Sequence, residues 1–247
     1  MIRILPIIIS LIISTTPTSQ TTASDTSNHA TSIPVLMYHN FFNDKNGTVK
    51  GKDNNCLPIS KFGKQLKYLS DNDYYFPTWD EVYGFVEGAN ELPEKSIVIT
   101  VDDGYKNFYK YALPILTKYR KTATLFVITG KNKSPASAFF SPFVLTASHT
   151  HKMHDWINGK GIITSIPQAE GVADMRMSLD MVENKTAFAY PYGHYNENAK
   201  QILKKAGIKL AFTIEYARIK PNMDKLELPR IRMNGNESIS SFIAKVK

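Results

Sequence analysis

The stretch SIVITVDDGYKNF, Ser96 to Phe108, decides how this chain is to be read. Ile97, Val98, Ile99 and Val101 form an apolar run of β type, and Asp102-Asp103-Gly104 forms its exit. Adjacent carboxylates before a glycine are a common turn signal. They are also what a metal-assisted acid/base site needs at the C-terminal end of a strand, where α/β folds place their chemistry. The rest of the chain must choose between the two.

Further strand-like runs lie at Ile33–His39, Thr122–Ile128, Thr186–Tyr190 and Ile208–Ile214, with a weaker one at Leu228–Met233. Helical patterns separate several of them. Thr78-Trp-Asp-Glu81 has the form of a capping box, opening a helix that stops near Gly88. Pro167 to Glu183 carries Val172, Met175, Leu179 and Val182 on one side. Ala199, Ile202, Leu203 and Ala206 keep helical spacing up to Gly207, a C-terminal stop. This alternation predicts an α/β fold of right-handed βα units around a mostly parallel sheet or barrel, with functional residues at the strand ends.

At 247 residues, 43% hydrophobic and 21% charged, the chain is long enough for one large domain with its own core. Ile4 to Ile13 is almost wholly apolar, the length of a signal-peptide core and too short for an ordinary membrane span. Residues 1–23 are therefore expected to be a signal peptide or an N-terminal anchor, 24–32 a disordered tether and 33–247 the folded domain of an exported, monomeric protein. Cys56 is the single cysteine, which excludes an internal disulfide and leaves stability to the core or a metal. The net charge of +8 suits an anionic cell surface. No compact Lys/Arg block points to nucleic acid.

Four stretches end or follow the strands with titratable residues: LMYHN (Leu36–Asn40), TVDDG (Thr100–Gly104), ASHTHKMHD (Ala147–Asp155) and AYPYG (Ala189–Gly193). They hold or adjoin five of the six histidines, a concentration that tells against isolated structural roles. Two imidazoles and a carboxylate suit a divalent cation with positions left open for water and substrate. The second aspartate then serves as a proton acceptor beside an acidified water. His151 competes with His149 as a ligand and is expected to point away or line the cleft. His194 reads as a solvated loop residue, and Phe139, Phe140, Phe143 and Trp156 as core.

On these motifs the chain from about Ile33 to Met233 resembles the polysaccharide deacetylases of carbohydrate esterase family 4, especially the branch acting on poly-β-1,6-N-acetyl-D-glucosamine. The resemblance implies a distorted (β/α) barrel. It makes Asp102 the general base and Asp103, His149 and His154 the ligands of one divalent metal ion, Zn²⁺ first and Co²⁺, Ni²⁺ or Mn²⁺ as substitutes. The His-x4-His spacing is that of the biofilm branch. Pro191 and Tyr192 correspond to the motif whose backbone N–H after the proline helps hold the oxyanion. Tyr38-His39 matches the N-terminal motif that supplies the general acid in that branch, and no histidine follows His194 to replace it. Tyr190 stands where the family has an orienting arginine, so Arg230 is expected to supply that charge.

The implied activity is exported, metal-dependent release of acetate from poly-β-1,6-N-acetyl-D-glucosamine. The alternatives are a peptidoglycan or chitin-type deacetylase, and an inactive glycan-binding surface protein. The last is suggested by the segment between Gly130 and His149, which is shorter than the loop, helix and strand the family fits there. A missing helix would expose apolar surface beside the metal ligands and weaken the site.

Overall fold

The computed structural model describes residues 29–46, 54–131 and 141–247. In chain order, β1 (Val35–Tyr38) and β2 (Asn40–Phe42) lead to β3 (Cys56–Pro58), α1 (Ile59–Asp71) and α2 (Trp79–Val86). Then come β4 (Val98–Val101), a π-helical turn (Phe108–Ala112) running into α3 (Leu113–Tyr119), β5 (Ala123–Val127) and β6 (Val144–Ser148). A short hairpin of β7 (Trp156–Ile157) and β8 (Lys160–Gly161) precedes α4 (Gln168–Leu179), β9 (Asn184–Ala189), α5 (Glu197–Ala206) and β10 (Leu210–Phe212). The chain closes with β11 (Ile231–Arg232) and α6 (Ile239–Val246).

Seven strands form one sheet in the order β10-β9-β6-β5-β4-β1-β11, and every pairing is parallel. The sheet curls until its ends meet. Leu228 bridges Phe212 of β10, and a few residues on the same segment pairs with β1 as β11. Period-2 alternation then sorts the side chains. Val35, Val98, Phe126, Ala147, Ala189 and Phe212, one parity from each of six strands, pack together as the barrel filling. Trp79, Val82, Phe85 and Val86 of α2 join that filling, and the Trp79 indole N–H donates to Thr124 Oγ1 at 2.9 Å. The opposite parity packs outward, against α1, α3 and α6 on one flank and α4 and α5 on the other.

Local chemistry explains the element ends. Thr78 and Glu81 form the full reciprocal capping box at α2, and Gly88 follows at φ 72. Asn196 caps α5, which Gly207 terminates at φ 89. α4 ends at Leu179, short of the expected Glu183.

Two expectations need correction. The tether does not run to Ser32: Ala30 donates to the Leu92 carbonyl at 2.8 Å and His29 bridges Pro93, so the ordered chain already includes His29. The backbone bonds of that short segment, not its composition, hold it. Residues 1–28 lie outside the described residues. Among the described residues no helix is long and apolar enough to cross a membrane.

The shortened segment does not cost the chain the strand that leads to His149. Residues 132–140 lie outside the described residues, but Val144–Ser148 is an intact strand hydrogen-bonded between β5 and β9. The far end of the barrel carries a cleft of its own. There Leu145 is 36% exposed and lines a cleft of about 510 Å³ with Trp79, Ile97 and Val144.

Candidate active site

The C-terminal ends of the strands open into a second cleft, of about 480 Å³. His39, Asp102, Asp103, His149, His154 and Tyr192 all line it, together with Asn55, Tyr105, Lys131, Ile214 and Arg232. The far-end cleft is slightly larger, but the convergent titratable groups are here.

Asp102 continues the inward parity of Val98 and Thr100 past the end of β4. It is 3% exposed and meets Arg230, which is fully buried. The guanidinium binds the carboxylate at both ends, Nη1 to Oδ1 at 2.7 Å and Nη2 to Oδ2 at 2.8 Å. Arg230 Nε donates to the Thr213 carbonyl at 3.0 Å and Nη1 to Thr100 Oγ1 at 3.1 Å, so its fork is fixed. Burial alone would raise the Asp102 carboxyl, but Arg230, helped by His149 and His39, overrides it and holds the group well below the usual carboxylate range. The Tyr190 hydroxyl donates to the Leu226 carbonyl at 3.0 Å. Arg230 therefore brings to Asp102 the charge that Tyr190 lacks.

Asp103 points the other way, toward two imidazoles. Its Oδ1 lies 3.3 Å from His154 Nε2 and 3.7 Å from His149 Nε2, and the ligand atoms of the three lie within 4.8 Å of one another. His149 Nδ1 lies 2.7 Å from the Ala189 carbonyl, which only accepts, so the proton is on Nδ1 and Nε2 carries a lone pair. Burial drives the imidazole down to about 4 despite Asp102 and Asp103, so His149 is neutral at physiological pH. A neutral Nε2 facing a carboxylate oxygen leaves two lone pairs opposed. A divalent cation resolves that opposition, and the carboxylate–diimidazole set suits one. His154 Nδ1 meets the Tyr192 hydroxyl at 3.2 Å, which holds its ring in place.

The backbone around these groups is unusual. Asp103 (φ 73), Thr150 (φ 71) and Tyr192 (φ 59) all adopt the left-handed region, and none is glycine. Such conformations cost about 1–3 kcal/mol each and persist where surrounding structure dictates them. In the Pro191–Gly193 turn, the Gly193 and His194 N–H groups close onto the Tyr190 and Pro191 carbonyls. The Tyr192 N–H takes no part in those two bonds.

The structure thus gathers His39, Asp102, Asp103, His149, His154 and Tyr192 around one cleft, with Arg230 behind Asp102 and Pro191 setting the turn. His151 points away, its Nδ1 at 3.0 Å from Thr129 Oγ1. His194 is not a free loop residue: its Nδ1 accepts from the Gly161 N–H at 2.9 Å and ties the β7–β8 hairpin to the turn. Trp156 is not core. It is 50% exposed and stands against Tyr192 with ring centroids 4.3 Å apart. Phe143 is partly buried against the core, and Phe139 and Phe140 lie outside the described residues. Arg232, which donates to Asn55 at 2.7 Å, was not singled out by the sequence, although its spacing from Arg230 puts both on one strand face.

Comparisons with known proteins bear on the fold and the family. The profile described as "Polysaccharide deacetylase" matches residues 89–211. The poly-β-1,6-N-acetyl-D-glucosamine N-deacetylase of Staphylococcus aureus is 29% identical over 197 residues, 72% of this chain and 68% of that protein. The Streptococcus pyogenes deacetylase PplD, solved with acetate, superposes with a TM-score of 0.73 at 26% identity, covering 87% of this chain and 98% of that one. The IcaB structure from Ammonifex degensii shares the fold, with a TM-score of 0.66 at 24% identity over 90% of this chain and 98% of its own. The barrel, the match to the profile and the resemblance to the staphylococcal enzyme lead to one conclusion: this chain belongs to the polysaccharide deacetylase family and is a hydrolase of amide bonds.

Proposed function

We propose that the chain removes N-acetyl groups from poly-β-1,6-N-acetyl-D-glucosamine outside the cell, leaving acetate and a glucosamine residue. The observation that carries this reading is the position of His39. It directly follows β1 and lines a cleft whose other histidines, among the described residues, are His149 and His154. The staphylococcal relative bears this activity in its name. Export rests on the signal-like Ile4–Ile13 run.

Asp103, His149 and His154 would hold the divalent ion, with Zn²⁺ the first choice. Bound there, such an ion would supply polarisation of the acetamide carbonyl and a water of near-neutral pKa. Asp102 accepts the proton of the attacking water. Arg230 makes Asp102 a weak base, so it is suited to the acidified water that a bound cation would supply. Arg230 keeps the carboxylate oriented as it does so. The Tyr192 N–H, presented by the turn that follows Pro191, donates to the developing oxyanion. His39 passes a proton to the departing amine as the C–N bond breaks. Burial lowers the His39 pKa, against the pull of Asp102 and Asp103 and with the help of Arg230 and Arg232, which makes its protonated form the stronger acid.

Against the rival reading as an inactive glycan-binding protein stands the intact β6, which keeps His149 in place. The deciding experiment measures acetate released from poly-β-1,6-N-acetyl-D-glucosamine oligomers, chitin oligomers and peptidoglycan, with Zn²⁺ and with a chelator. Zn²⁺-dependent release from the first substrate that disappears in Asp102→Asn is the expected result. Preference for either of the other two would reassign the substrate.

A further inference from the structure

We infer that Asp174, on α4 and outside the cleft, is a positioning residue that sets the metal affinity of the Asp103–His149–His154 triad. This rests on the reading of that triad as a metal site. The two histidines are joined by the loop Thr150–Met153, and its backbone is not a low-energy one. Thr150 is β-branched, a residue type for which φ 71 is a genuine outlier. Something outside the loop must dictate its path.

Asp174 does so from one side. Its Oδ1 accepts the His151 N–H at 2.9 Å and its Oδ2 the Lys152 N–H at 2.7 Å. Two successive amides converging on one carboxylate form an anion nest, with charge-assisted hydrogen bonds. Ser178, one helical turn further along α4, meets Ser148 Oγ at 2.7 Å, and Ser148 Oγ in turn accepts the Thr150 N–H at 3.1 Å. A single helix face therefore grips both the start of the loop and its middle.

The chain after β5 holds the other side. Thr129 N–H donates to the Thr150 carbonyl at 3.1 Å and Gly130 N–H to the His151 carbonyl at 3.0 Å. A Cβ on Gly130 would stand 2.3 Å from that carbonyl oxygen, so the approach is open only to glycine. The loop is clamped between Thr129–Gly130 and Asp174. Removing the carboxylate leaves two amides without their acceptor and frees Thr150 to relax. His154, at the loop's far end, then shifts relative to His149 and Asp103.

The test compares the 247-residue chain with its Asp174→Ala and Asp174→Asn variants. Zn²⁺ dissociation constants are measured by competition with a chromophoric chelator, and thermal midpoints are recorded for the metal-free proteins. We expect Asp174→Ala to weaken Zn²⁺ binding ten- to hundredfold, the range for loss of groups that support metal ligands. Asp174→Asn keeps one oxygen acceptor and should fall between. Zn²⁺ affinity unchanged in both variants overturns the inference, whether or not the metal-free midpoint falls, because that pattern marks a purely structural residue. If Asp174→Ala does not fold, Asp174→Asn decides alone. A parent chain that binds no Zn²⁺ overturns the metal-site reading itself and this inference with it.

Discussion

Arg230 crosses the barrel filling from the segment that closes the sheet and grips both oxygens of Asp102, a residue 128 positions away in the chain. Taking away one member of a buried, doubly bonded pair leaves an uncompensated charge, at a cost of about 3–5 kcal/mol. Arg230→Met should destabilise the protein by that much in urea titration. It should also change the pH profile. With the guanidinium present, Asp102 stays ionised well below the ordinary value of about 3.9. Without it, burial raises the carboxyl, so the acid limb of kcat/KM should move to higher pH. An acid limb that stays in place would remove Asp102 as the base.

Metal removal should be visible in stability as well as in activity. The three proposed ligands come from the ends of β4 and β6 and from the loop after β6, and a cation bound among them would stabilise only the folded chain. Free Zn²⁺ at a hundred times its dissociation constant should add about 2.7 kcal/mol. Differential scanning calorimetry with and without chelator checks this. Asp103→Ala should abolish the difference.

Trp156 stands over Tyr192 at the edge of the cleft, half exposed, where a sugar ring can lie against it. Such aromatic contacts are worth about 0.5–1.5 kcal/mol beyond area. Trp156→Ala should therefore raise KM for the oligosaccharide several-fold with little change in kcat. A fall in kcat at constant KM would mean that Trp156 acts through Tyr192 and His154 instead.

The α2 capping box sits at the opposite end of the barrel from the chemistry. Thr78→Ala removes the acceptor for the Glu81 N–H and should cost about 1 kcal/mol of stability. Specific activity at a temperature well below melting should be unchanged. A loss of activity there would show that the two ends of the barrel are coupled.

Much of this was legible before any coordinates. The apolar runs at Ser96–Val101 and Thr122–Ile128 contain β4 and β5, because buried parallel strands are apolar on both faces. The Thr78 box and the Gly207 stop fell where backbone chemistry demands them. β6 was hidden, since Val144–Ser148 mixes apolar and hydroxyl residues in a run too short to show its period. The pairing of Arg230 with Asp102 was an expectation from resemblance alone; nothing local to either residue announces the other. Asp174 gave no signal at all. It looks like any charge on a helix surface, and only the path of a loop 22 residues upstream in the sequence gives it something to hold.

The closing segment Leu228–Arg232 has a consequence in time. Asp102, Asp103, His149 and His154 all precede Arg230 in the chain, so wherever the chain emerges N-terminus first they are presented long before it. Until the last strand arrives the barrel has an open seam, and the proposed base has no countercharge. The Asp102–Arg230 pair is thus completed in the same step that seals the fold.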